Sequence, residues 1–467
     1  MIADNQNFDP KPLLKAFREA GKPLYLVGGA VRDQLMGKQS KDLDYTTKAT
    51  PPEIKEILTK AKFPVIPIGE AFGTIATLLQ AEFPDSGKFQ VEITTFRTEE
   101  SYKKGSRKPT VTFGDSLEKD LLRRDLTINA MALDDEGKLI DPFGGQVHLK
   151  EQLLITPSDA SEIFGQDPLR MLRVARFMSK LGFTPIAEVR KAMHERAGLI
   201  LTISRERWKQ EMDKLLVGPF VSNGMNLLAD TRLLQFILPE ILPILLMRGV
   251  NQGQYHSHDI WGHTLKVIEG VPANATLRWA AMLHDVAKPH TRTEIEGKIQ
   301  FLQHAELGAE MFDSIADRFR FSRDEKYKVK FLIEQHLRPN FYTSNWKDGT
   351  VRKLAEDAGN NLDDLLALSH ADISASNMDR VRGALDNLDE LKGRLISLGN
   401  DYSGNGVNQL VPTLPAGIGT ALIEAFNLKP GPEVGKLKTK LLDAIREGAL
   451  KNGQETSDYI NFLKGAS

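Results

Sequence analysis

The chain has 467 residues, 41% of them hydrophobic and 26% charged, with a formal net charge of −1. That length is more than one hydrophobic core holds, so roughly two to four domains are expected, and no run of about eighteen apolar residues marks a membrane span. Cysteine is absent, which excludes disulfides and thiolate metal sites and leaves His, Asp and Glu to ligate any metal.

The segment Met1 to Pro10 is polar and lacks the apolar core of a secretory signal; with the missing thiols this points to a cytoplasmic setting. Pro23 to Val27 is a short apolar run ending in Gly28-Gly29, the pattern of a strand entering a turn. Ala30 to Met36 then reads as a helix start. Lys41 to Tyr45 alternates with period two, as a strand does. Further strands are expected at Thr74 to Leu79 and Phe89 to Phe96, a helical or mixed stretch from Asp120 to Ala132, and a turn closing at Gly145. From Asp167 onward the period changes. Leu169, Leu172, Val174, Phe177 and Leu181 follow helical spacing, and nearly everything beyond them reads as helix. Pro239, Pro243 and Gly249 to Gly253 set a boundary near residue 245. The expected domains are 1–150, 151–245, 246–345 and 346–467.

The balanced net charge hides a local excess. Arg170 to Lys214 contains eleven Lys and Arg against five Asp and Glu. Such a stretch is either a solvated helical face or a surface that meets phosphate.

Asp42 and Asp44 lie two apart in the strand-like segment, so their carboxylates share a face. Side by side they repel unless a divalent cation lies between them. Mg²⁺ suits this arrangement, because it takes one or two carboxylates and completes its shell with water and phosphates. The turn at Gly28-Gly29 offers backbone N–H groups to a triphosphate. Each piece alone is weak, since a DxD is often only a solvated strand face. Gly28-Gly29-Ala30-Val31-Arg32-Asp33 followed by Asp42-Leu43-Asp44 is far more specific and spells phosphoryl or nucleotidyl transfer by two metals.

With these motifs the chain resembles the class II tRNA nucleotidyltransferase and bacterial poly(A) polymerase family, whose head belongs to the DNA polymerase β superfamily. Further segments resemble the family's motifs in order: Val91 to Glu99, Leu122 to Ala132, Asp141 to Gly145, Gln166 to Arg173 and Ser204 to Lys214. The resemblance covers roughly residues 22 to 245. It implies an α+β fold, with a polymerase-β-like head followed by an all-α neck, an HD domain and a helical tail. It implies that Asp42 and Asp44 hold Mg²⁺, with Glu92 either a third carboxylate or an exposed strand residue. Arg32 would bind triphosphate, and Arg124, Asp125 and Asn129 would grip ribose and phosphates. Asp167 and Arg170 would read the incoming base, with Arg173 and Arg176 completing the nucleotide-binding set. An arginine fork and a carboxylate acceptor match the edge that C and A share and that G and U lack. An Asp before Pro is also an ordinary helix cap. The family pattern has Glu where this chain has Gln166, which puts base fidelity in question while leaving catalysis in place. Arg97 and Ser101 to Pro109, with Lys103, Lys104, Arg107 and Lys108, resemble a flexible loop that helps the switch from CTP to ATP; the alternative is a merely mobile basic loop.

A second constellation follows. His263, His284-Asp285, His304, His336 and Asp372 stand in the order of an HD-superfamily phosphohydrolase, and they use four of the chain's ten histidines. Imidazole and carboxylate together suit a divalent transition metal or Mn²⁺ and Mg²⁺. The expected partners are tRNA, CTP and ATP, with no membrane; the oligomeric state is open. The resemblance implies CCA addition to tRNA, with a metal-dependent phosphohydrolase in the HD domain. The alternatives are a poly(A) polymerase, a partial CC- or A-adding enzyme, or a phosphodiesterase whose head only binds RNA.

Overall fold

The computed structural model describes residues 9–40, 43–80, 88–102, 109–249, 259–296, 298–376, 378–398, 414–415, 417–429, 431–446, 449–451 and 453–465. The chain divides into two units, Met1–Leu242 with Asp317–Arg320, and Pro243–Ala316 with Phe321–Ser467. Among the described residues no helix is long and apolar enough to cross a membrane.

The first unit opens with α1 (Lys11–Glu19), β1 (Tyr25–Val27), α2 (Gly29–Leu35), β2 (Leu43–Thr47) and α3 (Pro51–Lys60). Thr50 and Glu53 form a reciprocal capping box at the start of α3, with Pro51 at the position where no N–H is needed. β3 (Thr74–Gln80) and β4 (Lys88–Thr95) follow, then the separate hairpin β5 (Arg97–Tyr102) and β6 (Pro109–Phe113), α4 (Leu117–Leu122), β7 (Ala132–Leu133) and β8 (Leu139–Ile140).

Six strands form one mixed sheet in the order β3-β4-β2-β1-β7-β8, and only β2 and β4 run parallel. Leu43, Tyr45, Val91 and Ile93 point to one face, where they pack with Leu13 and Phe17 of α1 and Ile54 and Leu58 of α3. Period-two alternation sends the residues between them to the other face. Asp44 is therefore exposed beside half-buried Glu92, its partner in the parallel ladder.

A helical region completes this unit. Its elements are α5 (Gly145–Lys150), β9 (Leu153–Leu154), α6 (Ala160–Gln166), α7 (Leu169–Leu181), β10 (Thr184–Pro185), α8 (Ala187–Arg196), α9 (Arg205–Leu216), α10 (Val221–Asp230) and α11 (Leu233–Ile237). The apolar positions that set the helical period from Leu169 to Phe177 are buried in α7, which ends at Gly182 in the left-handed conformation.

After α12 (Leu242–Leu246), the second unit holds α13 (Ile260–Gly270), α14 (Ala275–Leu283), α15 (Lys288–Thr291), β11 (Arg292–Ile295), β12 (Lys298–Phe301), α16 (His304–Phe319), α17 (Arg323–Gln335), α18 (Asp348–Ala358), α19 (Leu362–Ser374) and α20 (Met378–Ser397). Three further helices, Ile418–Phe426, Pro432–Arg446 and Thr456–Gly465, share a small core around Leu422, Leu441 and Tyr459.

Nearly all of the described stretch after Asp167 is helical, as expected; its strands are short β10 and the antiparallel hairpin of β11 and β12. The β11 residues are all exposed, so no buried face imposed a readable period. Of the strand expected at Lys41 to Tyr45, Lys41 and Asp42 lie outside the described residues, and the described strand extends from Leu43 to Thr47.

Candidate active site and metal centre

Asp42 lies outside the described residues, as do Lys103, Lys104, Arg107 and Lys108. Asp44 and Glu92 are paired on the open face of the sheet. Gly28 closes β1 with φ of +73°, and a Cβ there would meet Arg124 Nη1 at 3.2 Å. This glycine is thus needed both for its backbone conformation and for the approach of Arg124.

Arg32 points inward and is 2% exposed. Its Nε and Nη2 donate to Asp33 Oδ1 at 2.8 and 2.6 Å, and its Nη1 donates to Asn129 Oδ1 at 2.6 Å. Asn129 Nδ2 donates to Asp125 Oδ1 at 3.0 Å, and Arg173 grips Asp125 Oδ2 through Nε at 2.7 Å and Nη2 at 2.6 Å. Glu211 of α9 then pairs with Arg176 at 3.1 Å and with Arg173 at 3.7 Å. Arg32, Asn129, Asp125, Arg173, Glu211 and Arg176 therefore form one continuous polar chain from head to neck. Burial acts to raise the Asp125 pKa, but Arg173 and the Asn129 hydrogen bond override it and hold the carboxyl well below its ordinary range.

Asp120 carries a role that no motif announces. It is fully buried and accepts from the Arg97 backbone N–H at 3.0 Å, from Arg123 at 2.9 Å and from Arg124 at 3.1 Å. Burial pushes its pKa up; Arg124 and Arg123 more than reverse this, so the net direction is down.

The base-reading candidates stand where α6 passes into α7. Asp167 Oδ1 accepts the Leu169 N–H at 3.1 Å, so the cap function is real. Its Oδ2 accepts from Arg207 Nη2 at 2.8 Å. Arg170 donates from Nη1 to Ile163 O at 3.1 Å and Gln166 Oε1 at 3.2 Å, and from Nη2 to Arg123 O at 2.6 Å. Arg207 and Glu211 belong to the last quoted motif without an assigned role. Their four-residue spacing on α9, one face of a helix, is the signal that marks them.

Gly145 sits where the head joins the neck. A Cβ there would fall 2.3 Å from Thr127 O and 2.8 Å from Met131 Cγ. Asp141 accepts from the N–H groups of Gly145 and Gln146 at 2.7 and 2.9 Å, fixing the turn.

In the second unit the six HD-pattern residues come together. The Nδ1 atoms of His284, His304 and His336 lie 2.8, 2.7 and 2.7 Å from the backbone carbonyls of Ala281, Phe301 and Ile333. A carbonyl only accepts, so each Nδ1 carries the proton and each Nε2 presents its lone pair. His263 Nε2 lies 3.4 Å from His284 Nε2, 3.0 Å from Asp372 Oδ1 and 3.5 Å from Asp285 Oδ2. Lone pairs and carboxylate oxygens so close need a proton or a metal ion among them.

Two triads result, His263-His284-Asp285 and Asp285-His304-His336. In each, the ligand atoms lie within 4.8 Å of one another, and Asp285 is common to both. Asn340 Nδ2 donates to Asp372 Oδ2 at 3.0 Å, the kind of outer contact that orients a ligand. Burial pulls the His284 pKa down, but Asp285 and Asp372 reverse this and raise it. Burial and the neighbouring His284 push His336 down to about 4, leaving it neutral. The donor set therefore fits a divalent metal. A cleft of about 240 Å³ opens beside it, lined by Lys288, Phe301, His304, His336, Asp372 and Ser376 among others.

Comparison with known proteins agrees with this layout. Residues 24–155 match the Poly A polymerase head domain, 182–245 the probable RNA and SrmB-binding site of polymerase A, and 256–377 the HD domain. The CCA-adding enzyme of Geobacillus kaustophilus is 40% identical over 237 residues, 51% of this chain and 56% of that protein. The chain thus spans about half the length of that relative. The CCA-adding enzyme of Lactococcus lactis subsp. cremoris is 32% identical over 450 residues, 95% of this chain and 93% of that protein. The crystal structure of the Bacillus stearothermophilus CCA-adding enzyme in complex with CTP is 25% identical, with a TM-score of 0.66 and coverage of 98% of this chain and 97% of the other. The domain order, the site geometry and the near full-length match together place the chain in the CCA-adding enzyme family.

Proposed function

We propose that the chain adds C, C and A to the 3′ end of tRNA from CTP and ATP without a nucleic-acid template. The observation that carries this reading is the fixed pair Asp167 and Arg170, each held by its own partners at the junction of α6 and α7. An arginine donor fork and a carboxylate acceptor are the groups that match the shared edge of C and A. The tRNA 3′-oxygen bonds to the α-phosphorus and pyrophosphate leaves. Asp42 and Asp44 would hold Mg²⁺, with Glu92 as a third carboxylate; exposed Asp44 and half-buried Glu92, paired in the parallel ladder, fit such an ion. When bound, Mg²⁺ supplies charge neutralisation on the triphosphate and a more acidic 3′-hydroxyl. Arg124 would face the phosphates, while Arg32, Asn129, Asp125, Arg173 and Arg176 would hold the pocket rigid from behind. The proposed substrates imply a cytoplasmic site of action.

The test is primer extension on tRNAs ending at the discriminator base, at C and at CC, with CTP and ATP supplied separately and together. Ordered addition that stops after A supports the reading. Long A tails, or addition limited to CC or to A, would replace it with a poly(A) or partial activity. No extension would overturn it.

The converging Nε2 atoms favour a second reaction in the other unit, hydrolysis of a phosphoester by water. His263, His284, Asp285, His304, His336 and Asp372 would hold the metal, which when bound supplies an activated water and charge on the phosphoryl oxygens. The double variant His284→Ala/Asp285→Ala is expected to lose phosphodiesterase or phosphatase activity and to retain nucleotide addition.

A further inference from the structure

The metal cleft contains one positive charge that the two triads do not use. Lys288 follows Asp285 by three residues, and its side chain is only 6% exposed. Its Nζ lies 2.7 Å from Asp285 Oδ2 and 5.5 Å from the centre of the Phe301 ring. A buried ammonium needs a paired anion, and Asp285 is that anion. The same Oδ2 lies 3.1 Å from His284 Nε2 and 3.5 Å from His263 Nε2. A divalent ion gathered by those nitrogens would claim the oxygen that Lys288 holds. Two like charges on one oxygen repel.

A lysine can resolve that conflict where an arginine fork could not as readily. Its ammonium is a compact point charge on a flexible four-carbon stem. The space open to it is the cleft, which Lys288 lines with Phe301, Asp372 and Ser376. There it would face any anion drawn to the metal centre.

We propose that Lys288 competes with a metal ion for Asp285 and, once displaced, turns into the cleft to bind the oxygens of a phosphate or phosphoester group. This deepens the metal-dependent hydrolysis reading and rests on it. It assigns the cleft an anionic phosphoryl ligand, recognised by the ion and the ammonium together.

The proposal gives opposite signs for two binding measurements on the full chain. Mn²⁺ alone is titrated calorimetrically into the wild type and into Lys288→Met, Lys288→Gln and Lys288→Arg. The variant His284→Ala/Asp285→Ala, titrated in parallel, gives the uptake by the head. Inorganic phosphate is then titrated into the Mn²⁺-loaded proteins. Loss of the competing charge is expected to tighten Mn²⁺ binding at the second centre in the Met and Gln variants. The same variants should bind phosphate about tenfold more weakly, the size expected when one charged hydrogen bond is lost. Lys288→Arg, which keeps the charge, should recover much of the phosphate affinity. Weaker Mn²⁺ binding with unchanged phosphate affinity would make Lys288 a brace for Asp285 and overturn the proposal. A wild type that takes up no more Mn²⁺ than the His284→Ala/Asp285→Ala variant would instead overturn the metal reading, and this proposal with it.

Discussion

Arg170 donates from Nη1 to Gln166 Oε1 at 3.2 Å, so a neutral side chain holds the arginine where the family pattern has an acid. Two backbone carbonyls, Ile163 O and Arg123 O, hold the same guanidinium. Removing the Gln166 acceptor leaves the fork anchored by these carbonyls. Gln166→Ala is expected to raise misincorporation of UTP and GTP relative to CTP and ATP by about tenfold, the lower end of what a hydrogen bond from a charged donor contributes. Gln166→Glu should restore charge assistance and lower it by a similar factor. Ratios of kcat/KM for each nucleotide check both; complete loss of discrimination in Gln166→Ala would refute the backbone-anchored account.

Arg207 holds Asp167 through Nη2 and Oδ2 at 2.8 Å. Arg207→Ala removes a charged hydrogen bond worth about 1.5–3 kcal/mol, so kcat/KM for the correct nucleotide should fall by roughly 10- to 100-fold. Arg207→Lys keeps the charge but not the fork and should recover only part of the loss. Affinity for tRNA, measured by filter binding, is expected to stay unchanged; a parallel drop there would mean a general collapse of the neck.

Asp120 gives the head a pH dependence with a definite sign. Its pKa is lowered in the fold, with burial opposing and Arg124 and Arg123 winning. Its contribution is therefore present above the unfolded carboxylate value of about 4 and is lost as pH falls through the lowered folded value. Asp120→Asn should destabilise the head near neutrality, by about 3–5 kcal/mol for a broken buried pair. The difference from wild type should shrink as the pH drops below about 4. Hydrogen exchange of β1 and β2 amides across that range reads the effect, and a constant gap would show that the carboxylate charge is not what matters.

Two glycines offer a contrast in one experiment. Gly145→Ala forces a Cβ to within 2.3 Å of Thr127 O, whereas Gly165 in α6 has nothing within 4 Å. The first substitution is expected to cost about 1–3 kcal/mol from overpacking. The second should stabilise by about 0.5–1 kcal/mol through helix propensity. Thermal denaturation of the two single variants should shift in opposite directions.

What the sequence disclosed depended on whether the signal was local. Asp42 and Asp44, Asp167 and Arg170, and the His284-Asp285 pair sit in short stretches whose residue types already imply their chemistry. The strand β4 and the helix α7 were legible because one buried face imposed a period on each. Partners supplied from elsewhere in the chain left no such mark. Nothing near Asp120 in sequence announces that the Arg97 N–H will reach it, and nothing near Asp167 points to Arg207. Arg32 illustrates the converse. Its motif suggests a phosphate contact, yet its guanidinium is buried against Asp33 and Asn129. The hairpin of β11 and β12 left no period because its first strand buries nothing.

The strand order of the head also bears on its birth during translation. β1 lies between β2 and β7, with Val27 opposite both Asp44 and Ala132. β2 in turn has β4 as its outer neighbour, with Asp44 opposite Glu92. The strand that carries Asp44 is made early but acquires its flanking partner only after a long stretch of chain has emerged, and the sheet closes later still, at Ile140. Pairings between distant segments form slowly because the intervening loop must be closed first. A nascent head is therefore an incomplete sheet with open edges for much of its synthesis, and ribosome stalling before residue 140 would release a fragment disposed to aggregate.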